Sequence, residues 1–138
     1  MSVSNRNEFP FGKRYPLVLL NACQKGDLPF IKLLLRNYLS CVGHRVDTLD
    51  LDVLSIRDFV SASVFHYAAR GDQVSVLRFL WPLLKGKPFP KTLQLSTPAH
   101  EAAAFGNLTS LQWLLKRSRS LMQATDIDGC NILHLAAR

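Results

Sequence analysis

The sequence predicts an all-α solenoid, in which pairs of antiparallel helices stack side by side. Three histidines, His66, His100 and His134, are separated by 34 residues and again by 34, and each is followed by x-Ala-Ala. A period in the thirties is typical of stacked helix pairs. Because each pair buries its apolar face only against its neighbours, such a fold offers an extended surface to a partner.

The first helix of each pair is expected to begin just before its histidine. In the third pair, Thr97 is a good N-cap, and Pro98 suits the first helical position, where a backbone N–H is not needed. Ala102 and Ala103 are small and allow neighbouring helices to approach closely. The sequence Asp126-Ile127-Asp128-Gly129 predicts a tight turn that opens the last unit.

Each first helix is expected to end at a reversal of the chain. The reversal residues are Gly26, Asp72 and Gly106, which lie six residues after Leu20, His66 and His100. Glycine favours left-handed backbone, and aspartate is one of the few other residues that tolerate it. The second helices follow, with apolar stripes at Ile31, Leu34 and Leu35, at Leu77, Phe79 and Leu80, and at Leu108, Leu111, Leu114 and Leu115.

Thr97-Pro98-Ala99-His100 resembles the Thr-Pro-Leu-His signature of ankyrin repeats. The resemblance implies helix-turn-helix repeats with β-turn connections. We expect a flexible segment at 1–14 and ankyrin repeats over 15–138, with units at about 15–40, 62–95 and 96–128 and a partial unit at 129–138. Leu20 and His66 are 46 residues apart, which exceeds the later period and predicts an insertion at about 36–60.

A closer resemblance rests on four further segments. They are His66-Tyr67-Ala68-Ala69-Arg70, Val76-Leu77-Arg78-Phe79-Leu80, Leu111-Gln112-Trp113-Leu114-Leu115 and Leu133-His134-Leu135-Ala136-Ala137-Arg138. With Thr97-Pro98-Ala99-His100, they resemble the first ankyrin repeats of the espin and forked family of actin-bundle proteins. This resemblance implies a protein–protein interaction module in the cytoplasm, at the cytoskeleton and its actin filament bundles. The implied partner is the tail of an unconventional class III myosin or another actin-bundle component.

The resemblance also implies a binding face. In ankyrin repeats, ligands lie in the concave groove, against the β-turn fingers and the exposed face of the first helices. By position, the partner-binding residues are Gln24, Lys25, Tyr67, Arg70, Glu101, Phe105, Leu135 and Arg138. Phe105 is a candidate anchor, because the equivalent positions hold Lys25 and Gly71 and the core therefore requires no aromatic ring there.

The charge of the chain leaves other modes of binding open. The net charge is +7, with basic clusters at Lys85, Lys87 and Lys91 and at Lys116, Arg117 and Arg119. A basic surface favours acidic or anionic partners, so a charge-driven module that contacts actin or nucleic acid is the main alternative. Nucleic acid is disfavoured, because the sequence has neither a groove-reading helix nor an aromatic RNA motif. An adaptor that brings substrates to an enzyme is a further alternative.

The sequence predicts neither catalysis nor a metal site. The sequence contains no catalytic motif and no phosphate-binding glycine loop, so we expect no enzyme, no cofactor and no small-molecule substrate. Equivalent histidines lie ~8–10 Å apart, whereas zinc needs each nitrogen at ~2.0–2.1 Å, so we expect structural histidines and no metal site. No apolar run approaches the ~20 residues of a membrane span. Lys116-Arg117-Ser118-Arg119-Ser120 is a candidate phosphorylation site.

Overall fold

The computed structural model describes residues 15–42 and 56–137. These residues are helical apart from turns and loops, and no strand occurs in the two ranges, which confirms the all-α class. The helices are α1 (Tyr15–Lys25), α2 (Leu28–Val42), α3 (Val64–Arg70), α4 (Val74–Leu80), α5 (Pro98–Ala104), α6 (Leu108–Arg117) and α7 (Ile132–Ala136). Short 3₁₀ helices follow α4 at Trp81–Leu84 and α6 at Arg119–Met122.

The first helices form a row. α1 packs against α3, α3 against α5, and α5 against α7, while α2, α4 and α6 each pack against the first helix of their own pair. Apart from Ala104, which is exposed, the alanines of α3 and α5 are buried, and their small size lets these helices approach closely. Leu20, Phe65, Leu77 and Leu114 are fully buried between the two layers and form one continuous core.

The chain reverses within each pair at the predicted residues. The backbone angle φ is +78° at Gly26, +57° at Asp72 and +72° at Gly106, which confirms left-handed backbone at all three positions. Asp72 also has a second role, because its Oδ1 accepts hydrogen bonds from Ser110 N at 3.1 Å and from Ser110 Oγ at 2.7 Å. The aspartate therefore ties the second pair to α6 of the third pair.

Gly71 permits a close backbone contact between the first two pairs. A Cβ atom at this position would lie 1.9 Å from the carbonyl oxygen of Gln24, at the end of α1. Because the clash would be with backbone, a side chain at 71 could not be accommodated by rotation of a neighbouring group. Phe105 occupies the equivalent position in the next pair and is 58% exposed, so the close contact is specific to α1 and α3.

The range predicted as an insertion, at about 36–60, is described only at its two ends. Helix α2 continues to Val42, so the range expected at about 36–60 begins inside a helix. Residues 58–60 belong to a turn that precedes α3. Residues 1–14, 43–55 and 138 lie outside the described residues. Cys23 is buried in the core. Within the described ranges, no helix combines the length and apolar character that a bilayer crossing requires.

Candidate functional site

Three tight turns precede α3, α5 and α7 at intervals of 34 residues. In each turn, one side-chain oxygen accepts hydrogen bonds from the backbone N–H groups two and four residues later, at 2.8 to 3.3 Å. The accepting atoms are Asp58 Oδ1, Thr92 Oγ1 and Asp126 Oδ1. Three residues after each acceptor the backbone is left-handed, at Ser61, Leu95 and Gly129. Equivalent bonds therefore give the three turns the same shape.

The histidines hold these turns in place. The Nδ1 atoms of His66 and His100 accept the backbone N–H of the N-cap residues Ser63 and Thr97, at 3.1 and 3.2 Å. This leaves the proton on Nε2, which donates to the last carbonyl of the next turn, Ser96 O at 2.8 Å and Cys130 O at 3.0 Å. The prediction that the histidines are structural is confirmed for these two residues, whose imidazoles tie the turns to neighbouring backbone.

His66 is neutral at physiological pH. Its side chain is fully buried, and burial lowers the pKa of the imidazole to about 4, although the hydrogen bond to Ser96 acts in the opposite direction. A neutral ring is what the geometry requires, because Nδ1 must accept while Nε2 donates.

A row of exposed apolar side chains lies at the tips of the three turns. These residues, Phe59, Leu93 and Ile127, follow the side-chain acceptors directly and are 92%, 66% and 64% exposed; we call them the tip row. Neighbouring turns are joined by backbone hydrogen bonds, from Leu93 N to Val60 O at 3.0 Å and from Ile127 N to Gln94 O at 2.8 Å. The tip row is therefore fixed to a shared backbone frame.

Three of the predicted binding residues form a polar network beside the tip row. Arg70 Nε donates to Glu101 Oε1 at 2.6 Å, and the Arg70 guanidinium lies 4.8 Å from the centre of the Tyr67 ring. The Tyr67 hydroxyl donates to Asp58 Oδ2 at 2.8 Å, so the network reaches the first turn. Burial alone would lower the pKa of Arg70, but the bond and charge of Glu101 outweigh it and raise the pKa above its usual value.

The network does not include the other predicted residues. Gln24 and Lys25 are exposed at the end of α1, Phe105 is exposed just after α5, and Leu135 is half-buried on α7. Arg138 lies outside the described residues. Sequence reasoning did not identify Asp58 or the tip row as part of this face. The 34-residue spacing of Phe59, Leu93 and Ile127, which equals that of the histidines, was the signal that could have found them.

Comparison with known proteins adds one relative. No family model matches the chain. The chain is 30% identical over 115 residues to palmitoyltransferase AKR1 of Lachancea kluyveri, and the matched part is 83% of this chain and 14% of the relative. The chain thus spans 14% of the curated relative that it matches.

This similarity corrects the prediction that the chain is not an enzyme, because the relative is named as one. The prediction rested on catalytic motifs, and a motif search tests only the residues that carry out chemistry. A segment that serves an enzyme without carrying its catalytic residues gives no such signal.

Proposed function

We propose that the chain is a protein-binding module of the ankyrin-repeat type, and that the tip row and the neighbouring face of the first helices hold a peptide from a partner protein. The tip row is the observation that carries the proposal. Single exposed apolar residues are common on proteins, whereas Phe59, Leu93 and Ile127 recur in register on turns of the same shape. The row of first helices and the repeated turns support the ankyrin-repeat assignment.

The spacing of the tip row indicates how the apolar side chains of the partner are spaced. Adjacent helices pack ~8–10 Å apart, so neighbouring tips are separated by about the same distance. In an α-helix, seven residues rise by ~10 Å, which places every seventh side chain opposite a successive tip. A helix with an apolar heptad stripe therefore fits the row better than a peptide with randomly placed apolar residues.

The resemblance to the espin and forked family identifies the first partner to test, which is the tail of a class III myosin in the actin bundles of the cytoplasm. Recognition through the tip row differs from the charge-driven alternative. Arg70 and Glu101 already neutralise each other beside the row, so the apolar side chains supply the larger share of the binding free energy.

The similarity to a palmitoyltransferase favours a second candidate. In that case the same surface binds the protein that a palmitoyl-transferring enzyme modifies, and the chain is the part of the enzyme that selects this protein. The test is acyl-exchange labelling of the captured partner in cells. The palmitoyl signal on the partner should fall when Leu93→Ser is introduced, and an unchanged signal would contradict this candidate.

The decisive experiment for the first proposal measures binding of a labelled myosin-tail peptide by fluorescence anisotropy. Phe59→Ser and Leu93→Ser should each weaken binding by at least about tenfold, consistent with loss of a buried anchor. Leu17→Ser is the matched control, because Leu17 is 54% exposed on α1 and lies outside the tip row. Raising the salt concentration from 50 to 200 mM should change the affinity by less than about threefold. Loss of binding with salt, without an effect of the tip substitutions, would support the charge-driven alternative.

A further inference from the structure

A basic cleft separates two loop segments that the proposed binding face does not use. It lies between residues 86–91, which follow the first 3₁₀ helix, and residues 117–124, which begin at the last residue of α6. Two adjoining depressions of about 250 and 280 Å³ share Pro88, Phe89, Ser118 and Ser120 as lining residues. We call the two depressions together the basic cleft. Buried Phe89 provides an apolar wall of the cleft.

The charge of the basic cleft is uncompensated. Lys87 and Arg117 line one depression and Lys91 lines the other, and no carboxylate is among the lining residues of either. Within residues 56–137, none of these three cations forms an ion pair with a described carboxylate. Arg117 is held in place by aromatic contacts, with its guanidinium 5.1 Å from the centre of the Trp81 ring and 5.0 Å from that of Trp113. Its positive charge therefore remains available to an anion.

Two hydroxyl groups lie in this positive field. Ser118 Oγ and Ser120 Oγ are 3.0 Å apart, and both residues line both depressions. Ser120 is exposed on the 3₁₀ helix Arg119–Met122, whereas Ser118 is half-buried. In the sequence, Arg117 lies three residues before Ser120 and Arg119 lies immediately before it. The exposed serine thus combines a basic approach sequence with a cationic surface that faces it.

We propose that Ser120 is a phosphorylation site for a basophilic protein kinase, and that the basic cleft holds the resulting phosphate through Lys87 and Arg117. The Ser120 hydroxyl oxygen attacks the γ-phosphorus of magnesium-bound ATP supplied by the kinase. The bond between the γ-phosphorus and the bridging oxygen breaks, ADP leaves, and the hydroxyl proton passes to the catalytic base of the kinase. The product carries about two negative charges and three strong acceptor oxygens.

The phosphate has a defined consequence for the loops. Charge-assisted hydrogen bonds to Lys87 and Arg117 would join residues 86–91 to residues 117–122, which otherwise face each other across the cleft. Phosphorylation also cancels most of the positive charge in the cleft. The modification is therefore expected to stiffen this edge of the molecule and to remove an anion-binding surface in the same step.

The test treats the folded chain with magnesium-ATP and a basophilic kinase that selects arginine three residues before the acceptor. Intact mass should increase by one phosphate, tandem mass spectrometry should place it on Ser120, and Ser120→Ala should abolish it. The melting temperature should rise by about 3 °C on phosphorylation. Lys87→Gln should be phosphorylated equally well, because residue 87 is distant in sequence from the acceptor, but its rise should be less than about 1 °C.

Arg78→Gln is the matched control, since Arg78 is exposed on α4 and does not line the cleft. It removes the same charge and should retain the full rise in melting temperature. As a second readout, the pKa of the phosphate, followed by phosphorus NMR, should be lower in the wild-type chain than in Lys87→Gln. A folded chain that stays unmodified, a phosphate placed on Ser118, or an equal rise in Lys87→Gln would each overturn the proposal.

Discussion

Arg70 of α3 and Glu101 of α5 join two neighbouring helix pairs through a contact of 2.6 Å between Nε and Oε1. Their side chains are 21% and 16% exposed, so solvent screens this pair less than it screens an ion pair on an open surface. Tyr67 packs against the guanidinium and passes the network on to Asp58. The predicted binding residues of α3 and α5 are thus also part of the interface between helix pairs.

The ion pair should contribute measurably to stability. In a double-mutant cycle of Arg70→Ala and Glu101→Ala, we expect a coupling free energy of about 1 kcal/mol, because both groups are shielded and the geometry is direct. Urea denaturation of the four proteins measures it. Arg78→Ala combined with Glu101→Ala serves as the control and should be additive. Additivity in the Arg70 cycle as well would mean that the pair adds no net stability.

Stability should fall on mild acidification. The pKa of His66 is about 4 in the folded chain and 6.5 in the unfolded chain, so the unfolded state binds more protons between these two pH values. The free energy of unfolding is then fully retained above pH 6.5 and decreases as the pH falls toward 4, by roughly 3 kcal/mol at most. Denaturation midpoints measured between pH 4 and 7 test this slope.

His66→Gln is the control for the pH effect. Glutamine at this third helical position can still reach back to the N-cap N–H, but it has no proton to gain in this pH range. The variant should lose stability at pH 7 and show a flatter pH dependence. An unchanged slope would assign the acid sensitivity to other groups.

Gly71 should be the glycine least tolerant of substitution. In Gly71→Ala the new Cβ would meet the Gln24 carbonyl, so α1 and α3 must separate, and we expect a loss of about 3 kcal/mol. Gly106→Ala is the matched control, because its Cβ would meet nothing within 4 Å and its cost comes from left-handed backbone alone, about 1 kcal/mol. Thermal melts compare the two, and equal losses would mean that the contact between α1 and α3 adapts.

Leu95 and Gly129 occupy the same position of successive turns, but the left-handed backbone there strains leucine and not glycine. Leu95 has φ of +63° and Gly129 has +78°, a region that glycine adopts without strain. Leu95→Gly should therefore stabilise the chain by up to about 1 kcal/mol, whereas Gly129→Ala should destabilise it by about the same amount. A destabilised Leu95→Gly variant would show that the half-exposed leucine side chain contributes more through packing than its backbone costs.

The positions of the helices could be predicted because their signals are local. Thr97 and Pro98 mark the start of α5 through their own backbone chemistry, and Asp72 was identified as left-handed because it stands where glycine stands elsewhere. The end of α2 had no comparable signal, since the apolar stripe to Leu35 does not limit how far the helix continues, and α2 runs to Val42.

The candidate site was less accessible to sequence reasoning. Tyr67 and Arg70 were predicted as binding residues, and that assignment stays a prediction. Their contacts could not be predicted, because Tyr67 bonds Asp58 of the preceding turn and Arg70 pairs with Glu101 of the next helix pair, and both contacts depend on packing. Leu93 and the other tip residues are apolar, a property that usually indicates burial. These side chains are exposed because each stands at the tip of a turn. The residue type alone does not indicate that position.

The hydrogen bonds that the imidazoles donate to the turn of the next unit also divide the chain into regions of unequal local stability. His66 and His100 each bind the turn that follows, but Leu20 stands in the histidine position of the first pair and has no side-chain donor. That pair is held by apolar packing and by the bond from Gln73 Nε2 to Gln24 O at 3.2 Å. In native-state hydrogen exchange, α1 and α2 should open as a separate foldon, while the amides of α3 and α5 exchange through a rarer and larger unfolding.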